Sequence, residues 1–246
     1  MKVQLHTSPV TEAFLSQDEC PFCRLEKEAQ QRSIRFFAGT SYMEPAIRGL
    51  TNRMGFCSGH WKALYDYGNV LGNALMLQTH AEDILLELEE LSKNGAYSEK
   101  KGLFKKAAPA CPAGERLQQR ANSCAVCDQV EESMKRQYQV FFVLLAESEF
   151  RAYVESSKGF CLPHFARLLQ EAESLLQQKY SDWFYPAVYT VMQKNLARVK
   201  ADLDRLIEKH DYRNAALDWG NSRDSVPRAI QKLAGIYPAD APYKKD

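Results

Sequence analysis

The sequence predicts an all-α protein, made of two repeated helical zinc-binding units of about three to four helices each and a short C-terminal helix. Apolar residues recur at the three-to-four-residue spacing of helices, and few stretches alternate with the period of two that strands show. A set of cysteine and histidine residues also occurs twice at a constant offset, which is typical of a duplicated unit.

The repeat is clearest in the residues able to bind metal. Each residue of the first set has a counterpart 104 positions later, and a Gly-Phe pair precedes the third residue of both sets. The two sets are Cys20, Cys23, Cys57 and His60, and Cys124, Cys127, Cys161 and His164. We therefore predict a first repeat over residues 1–95, a linker over 96–119, a second repeat over 120–212 and a C-terminal tail over 213–246.

Helices are predicted where residues that favour helix run without a breaker. In the first repeat they cover residues 23–37, 44–50, 58–67 and 69–92. In the second repeat they cover residues 125–148, 162–178 and 183–210. The helix over 69–92 carries an apolar stripe made of Leu77, Ala81, Ile84, Leu88 and Leu91. In the tail, Ser225 is expected to cap a last short helix that Gly235 ends.

The composition indicates a cytoplasmic protein. The N-terminus lacks the apolar core of a secretory signal, and no apolar run approaches the ~18–20 residues that span a bilayer. A reducing compartment disfavours structural disulfides and leaves thiolates free to bind metal. The net charge of +1 gives no indication of nucleic-acid binding, so the expected partner is another protein.

Three thiolates and one imidazole form a standard closed ligand set for zinc. We therefore expect two Zn²⁺ ions per chain in structural Cys3His sites. An iron–sulfur cluster is less favoured because clusters prefer four cysteines. Spacing alone does not settle whether each ion lies within one repeat or bridges both. We favour one ion per repeat, since short loops close at a lower entropy cost.

A second group of polar residues could form a pocket near the first metal site. Glu44, Arg48 and Asn52 share one face if their segment is helical, and His80 lies on the following long helix. An ordinary helix ion pair and a hydrogen-bonded histidine beside the core explain the same residues. Cys111 in the linker is either a reactive thiol or a solvated linker cysteine.

The motifs resemble those of an uncharacterised family of clostridial and related bacterial proteins. The resemblance is carried by Cys20-Pro-Phe-Cys23, Tyr42-Met43-Glu44-Pro45, Asn52, Gly55-Phe56-Cys57-x2-His60, Cys124-x2-Cys127, Gly159-Phe160-Cys161-Leu162-Pro163-His164 and Arg228-Ala229-Ile230. It implies a cytoplasmic bacterial protein with paired cysteine/histidine motifs, and it implies no activity.

Three functions are compatible with these residues. The favoured one is a non-enzymatic interaction or regulatory module of unknown process, held together by zinc. The alternatives are a metal-dependent or pocket-bearing enzyme that uses Glu44, Arg48 and His80, and a zinc–thiol redox switch.

Overall fold

The computed structural model describes residues 8–93, 112–214 and 216–238, and all regular structure within these ranges is helical, which confirms the all-α prediction. The helices are α1 (Pro9–Leu15), α2 (Pro21–Ala38), α3 (Pro45–Met54), α4 (Ser58–Tyr67), α5 (Val70–Lys93), α6 (Pro112–Asn122), α7 (Ala125–Leu144), α8 (Ser148–Ser156), α9 (Leu162–Leu175), α10 (Ser181–Lys209) and α11 (Ser225–Ala234). None of these helices has the length and apolar character needed to cross a membrane.

The chain divides into two compact units that differ from the two halves of the sequence. Of the described residues, one unit takes 8–29 with 132–238, apart from residue 215, and the other takes 30–93 with 112–131. We call them the split unit and the central unit. Both boundaries fall inside helices, in α2 and in α7. The boundaries of the two sequence repeats remain a prediction about the duplication.

Most helices begin where the sequence predicts, and α4 matches its predicted range at both ends. The helix predicted over 125–148 ends early, at Leu144, and a separate helix, α8, begins at Ser148. After Leu144 the backbone turns, with the Glu147 amide donating to the Leu144 carbonyl, and Glu147 then occupies the N-cap of α8. Arg151 of α8 donates to the Leu145 carbonyl, which satisfies a backbone acceptor left open at the end of α7.

Besides α8, two helices were not predicted from the sequence. Helix α1 has only seven residues, which is too short to show a clear period, and Ser8 caps it by accepting from the Val10 amide. Helix α6 lies in the C-terminal part of the predicted linker, where Arg116 and Arg120 form ion pairs with acidic residues of α5. The rest of that linker, including Cys111, lies outside the described residues.

The C-terminal helix α11 is present, but its predicted cap is wrong. Asp224 stands at the N-cap and Ser225 is the first helical residue, with a fully buried side chain. The reason is a preceding turn, in which the Ser225 amide donates to the Ser222 carbonyl. The C-terminal end is as predicted, because Gly235 adopts φ +77° and its amide donates to the Gln231 carbonyl.

Candidate metal centres

The eight predicted ligands form two groups of four, and each group combines residues from both repeats. Within each group the donor atoms all lie within 4.8 Å of one another. Centre 1, in the split unit, consists of Cys20, Cys23, Cys161 and His164, and centre 2, in the central unit, consists of Cys57, His60, Cys124 and Cys127. The expectation of one ion within each repeat is therefore wrong, because each Cys-x2-Cys pair meets the Cys-x2-His pair of the other repeat.

Loop-closure entropy gives only a weak preference for a metal centre built within one repeat. Cys23 and Cys161 are 138 residues apart, about four times the separation of Cys23 and Cys57. Each doubling of loop length costs only about 0.6 kcal/mol, so the longer connection costs about 1.2 kcal/mol more. The entropy argument also assumes a flexible chain, whereas much of the segment between Cys23 and Cys57 is the rigid helix α2, about 27 Å long.

Each ligand pair stands at the start of a helix. Cys20, Cys57, Cys124 and Cys161 immediately precede α2, α4, α7 and α9, and Cys23, His60, Cys127 and His164 are the third residues of those helices. The Cys161 and Cys124 sulfurs also accept from the backbone amides of His164 and Cys127. Two helix N-termini therefore converge on each centre, and their partial positive charges favour the thiolate form of the cysteines.

The donor separations suit a single tetrahedral ion. For Zn–S of about 2.3 Å and Zn–N of about 2.0–2.1 Å, neighbouring ligand atoms lie about 3.5–3.8 Å apart. In centre 1, His164 Nδ1 lies 3.6, 3.4 and 3.1 Å from the sulfurs of Cys20, Cys23 and Cys161. In centre 2, His60 Nδ1 lies 3.2, 3.2 and 3.4 Å from the sulfurs of Cys57, Cys124 and Cys127. Both histidines present Nδ1 to the three sulfurs of their centre.

All four residues of centre 1 are buried. Burial acts to raise the pKa of Cys20, but hydrogen bonds from Cys161, Cys23 and His164 outweigh it and hold that pKa well below its usual value. Burial acts to lower the pKa of His164, and contacts with the Cys161 and Cys20 sulfurs reverse this and raise it to about 10. Hydrogen bonds with the other two thiols raise the pKa of Cys23. The donors thus compete for protons, and a divalent cation would displace those protons on binding.

One lysine donates hydrogen bonds to both of the loops that carry the ligands of centre 1. Lys232 of α11 is fully buried, and its ammonium donates to the backbone carbonyls of Glu19 and Lys158. It also lies 3.3 Å from the Glu19 carboxylate, which Arg198 contacts at 2.6 Å. This cationic group next to Cys20 offsets part of the negative charge that three thiolates bring. The sequence contains no pattern that marks Lys232, because its role depends on a contact 213 residues away in the chain.

Each histidine ligand has a polar partner on its outer nitrogen. His164 Nε2 lies 3.5 Å from a Glu26 carboxylate oxygen, and His60 Nε2 lies 2.7 Å from the side-chain amide of Gln30. A histidine bound to metal through Nδ1 carries a proton on Nε2 and donates it, which fixes the orientation of the ring. The Gln30 amide nitrogen faces the ring, and a half-turn of the amide brings its oxygen into position to accept that proton.

Centre 2 is more accessible than centre 1. Cys127 is exposed and Cys57 is half-buried, whereas His60 and Cys124 are buried. Burial lowers the pKa of His60, which favours the neutral imidazole that binds metal. The two accessible sulfurs, of Cys57 and Cys127, lie 3.9 Å apart.

The loop before Cys57 is bonded to the residues on either side of Cys124. The Gly55 carbonyl accepts from the Ala125 amide at 3.1 Å, and the Met54 carbonyl accepts from the Ser123 hydroxyl at 2.6 Å. These two bonds place the two ligand pairs of centre 2 side by side. Gly55 adopts φ +58°, and a Cβ there would lie 2.5 Å from the His80 ring.

The residues proposed as a pocket mostly support this junction. The Asn52 carbonyl accepts from His80 Nδ1 at 2.7 Å and from Arg120 at 2.8 Å, and the Asn52 side chain accepts from the Thr79 hydroxyl. Asn52 and His80 therefore meet through a backbone carbonyl, and the pocket itself stays a prediction.

Arg48 and Glu44 have separate environments. Arg48 donates to the Leu75 carbonyl of α5 at 3.4 Å, while the exposed Glu44 stands at the N-cap of α3. Among the described residues no ion pair joins the two side chains. Their counterparts behave similarly, since Glu147 stands at the N-cap of α8 and Arg151 donates to a backbone carbonyl.

A family model described as a family of unknown function (DUF6062) matches residues 1–240. The chain belongs to this family. An uncharacterised 23.9 kDa protein from the xynA 3′ region of Caldicellulosiruptor sp. (strain Rt8B.4) is 22% identical over 206 residues, which cover 82% of this chain and 88% of that protein. No solved structure matches the chain. The resemblance to an uncharacterised bacterial family is thus confirmed.

Proposed function

We propose that this protein is a helical zinc scaffold, with one structural Zn²⁺ in each Cys3His centre, that acts as an interaction or regulatory module. The observation that carries the proposal is the convergence of four nitrogen and sulfur donors, from two helix starts, in each compact unit. Four protein donors complete a tetrahedral shell and leave no position for water, as in structural rather than catalytic sites.

Zinc is the metal that these donors fit best. The separations of 3.1–3.9 Å suit one ion, and they leave no room for a cluster of several iron atoms between the ligands. The imidazole in each set also favours zinc over a cluster, which prefers four cysteines.

The zinc ions would contribute a large share of the stability. Structural sites in small domains show apparent binding energies of ~10–16 kcal/mol, while a whole domain is stable by about 5–15 kcal/mol. In this chain each ion would also cross-link residues from distant parts of the sequence. Loss of one ion would therefore release two helix starts at once.

The contacts around Glu44, Arg48 and His80 support a non-enzymatic role. His80 Nδ1 and the Arg48 guanidinium both bond to backbone carbonyls, and Glu44 is exposed. In these positions His80 and Arg48 hold α5 against α3, and no contact among the described residues joins either of them to Glu44. The cytoplasmic location and a protein partner are part of the same proposal.

Elemental analysis and chelation test the structural role. Protein purified without added metal should contain two zinc ions per chain. Removal of both ions by a strong chelator at neutral pH should lower the helicity and the melting temperature, and Zn²⁺ but not Mg²⁺ should restore them. A metal-free chain that keeps its helicity and melting temperature would refute the structural role, and iron in place of zinc would refute the choice of metal.

The exposure of centre 2 favours a redox switch as the second candidate. A peroxide could oxidise the Cys57 and Cys127 thiolates to a disulfide, with the two electrons reducing the peroxide to water and the zinc ion released. Centre 1 is the internal control because all its ligands are buried. Mild peroxide should then release one zinc per chain, measured with a colorimetric chelator. Equal release from both centres, or none, would remove this candidate.

A further inference from the structure

The two metal centres differ in how far a ligand from outside the protein can reach them. Every ligand of centre 1 is at most 8% exposed. In centre 2, Cys127 is exposed and Cys57 is half-buried, and their sulfurs lie 3.9 Å apart. An external ligand can therefore approach an ion in centre 2 along the edge between these two sulfurs.

The C-terminal end of α11 covers centre 1. The Gly235 carbonyl oxygen lies 3.5 Å from Cys23 Sγ, and a Cβ added to Gly235 would lie 3.5 Å from Cys161 Sγ. About one turn earlier in α11, the buried Lys232 bonds to both loops that carry the ligands. A ligand from outside reaches these sulfurs only after this end of α11 has moved.

A duplicated position next to the histidine ligands shows the same difference. Pro163 precedes His164, and its ring would lie 3.7 Å from a Cβ added to Gly235. The residue 104 positions before Pro163 is Gly59, which precedes His60. A Cβ added to Gly59 would have no atom of the described residues within 4 Å. The space beside the ligands is thus filled in centre 1 and open in centre 2.

The outer partners of the two histidines also differ in charge. A Glu26 carboxylate oxygen lies 3.5 Å from His164 Nε2, whereas the partner of His60 Nε2 is the neutral amide of Gln30. A carboxylate that accepts the Nε2 proton makes a metal-bound imidazole a stronger donor, and loss of such a partner typically costs about 10–100-fold in metal affinity. This difference favours tighter binding of the ion in centre 1.

We propose that centre 2 is an exchangeable zinc site, which passes its ion to and from thiolate ligands outside the protein, whereas α11 and Glu26 retain the ion of centre 1. The external ligand is a thiolate because only a donor as soft as the cysteines competes well with them for zinc. The inference rests on the proposed function, since it requires zinc in both centres.

Each exchange step replaces one zinc–sulfur bond by another. The external thiolate forms a bond to zinc, and the bond from Cys127 or Cys57 breaks. The proton that the incoming thiol gives up passes through solvent to the released cysteine. The ion remains Zn²⁺ throughout, so the exchange consumes no oxidant, unlike the redox switch.

The rate of zinc release from the full-length, zinc-loaded protein tests the proposal. Dithiothreitol in excess is the external thiol, a colorimetric chelator reports the free ion, and the chelator without dithiothreitol gives the baseline rate. Release should occur in two phases of one ion per chain. The first should depend on the dithiothreitol concentration and be about tenfold or more faster than the second. Release of both ions in a single phase, or of neither, would overturn the inference and leave the zinc scaffold standing, whereas a chain that binds no zinc would refute the proposed function itself.

Alkylation of the unmodified chain shows which centre has lost its ion. After the first phase, gel filtration removes the dithiothreitol, N-ethylmaleimide is added, and peptide mapping by mass spectrometry locates the label. The label should lie on Cys57, Cys124 and Cys127 and spare the three cysteines of centre 1. Label on the cysteines of centre 1, or equal label in both centres, would overturn the assignment.

Glu26→Gln tests how the ion of centre 1 is retained. The slow phase should become about tenfold or more faster while the fast phase keeps its rate, because only His164 loses its carboxylate partner. Glu28→Gln, on the same helix and paired with Arg24, is the matched control and should change neither phase. A slow phase that Glu26→Gln leaves unchanged, or an equal acceleration of both phases, would refute the role of Glu26.

Discussion

The crossed composition of the two centres can be tested by combining cysteine substitutions. Cys20→Ser removes one donor from centre 1, so one zinc per chain should remain. Adding Cys161→Ser affects the same centre, and one zinc should still remain. Adding Cys57→Ser instead disables centre 2 as well, and no zinc should remain. Pairing within each repeat predicts the opposite results for the two double variants.

The stability changes should follow the same pattern. Loss of a zinc ion removes up to ~10–16 kcal/mol of apparent binding energy, enough to unfold the unit that holds it. A second change in the same centre then adds little, so Cys20 and Cys161 should show a coupling energy about as large as the effect of one change. Cys20 and Cys57 lie in different centres and should be additive within about 0.5 kcal/mol.

Zinc content by elemental analysis and urea unfolding followed by circular dichroism provide the two measurements. Cys111→Ser is the control, since this cysteine has no counterpart in the repeated ligand sets, and it should keep both zinc ions. The crossed arrangement is refuted when Cys20→Ser/Cys161→Ser contains no zinc while Cys20→Ser/Cys57→Ser keeps one.

Two further substitutions test the groups that hold the ligand loops. Lys232→Met should destabilise the split unit by about 2–4 kcal/mol, because it leaves the backbone carbonyls of Glu19 and Lys158 without their buried donor, while Arg198 still pairs with the Glu19 carboxylate. Lys200→Ala, on an exposed pair, should change the unfolding free energy by less than about 0.5 kcal/mol. Equal changes in the unfolding free energy of the two variants would show that the buried hydrogen bonds of Lys232 do not stabilise the split unit. Gly55→Ala should cost roughly 1–3 kcal/mol, because alanine is strained at φ +58° and its Cβ meets the His80 ring. Gly59→Ala, on α4 with no atom within 4 Å of the new Cβ, should be neutral or stabilising by up to about 1 kcal/mol, and a thermal melt of both variants decides the matter.

Much of the local structure could be predicted because its causes are local. Helix α4 follows from a run of residues that favour helix between Gly55 and Gly68, and both boundaries match the prediction. The eight candidate ligands could be identified because the same thiol and imidazole residues recur at the same spacing in both repeats. The break between α7 and α8 was missed, since the apolar period continues through the turn and only the hydrogen bonds near Glu147 interrupt the helix.

The sequence by itself predicted the helical class and the eight residues that form two clusters able to hold a metal ion, because these depend on residue type and on spacing within a few turns. Only the tertiary structure decided which pairs share a centre, since an extra closure cost of about 1.2 kcal/mol is small beside the packing and coordination that oppose it. The tertiary structure also decided that Lys232 is buried, that the Asn52 carbonyl accepts two hydrogen bonds, and that Leu77 and Leu88 of α5 are exposed. Each depends on contacts between residues far apart in the chain, which spacing does not encode.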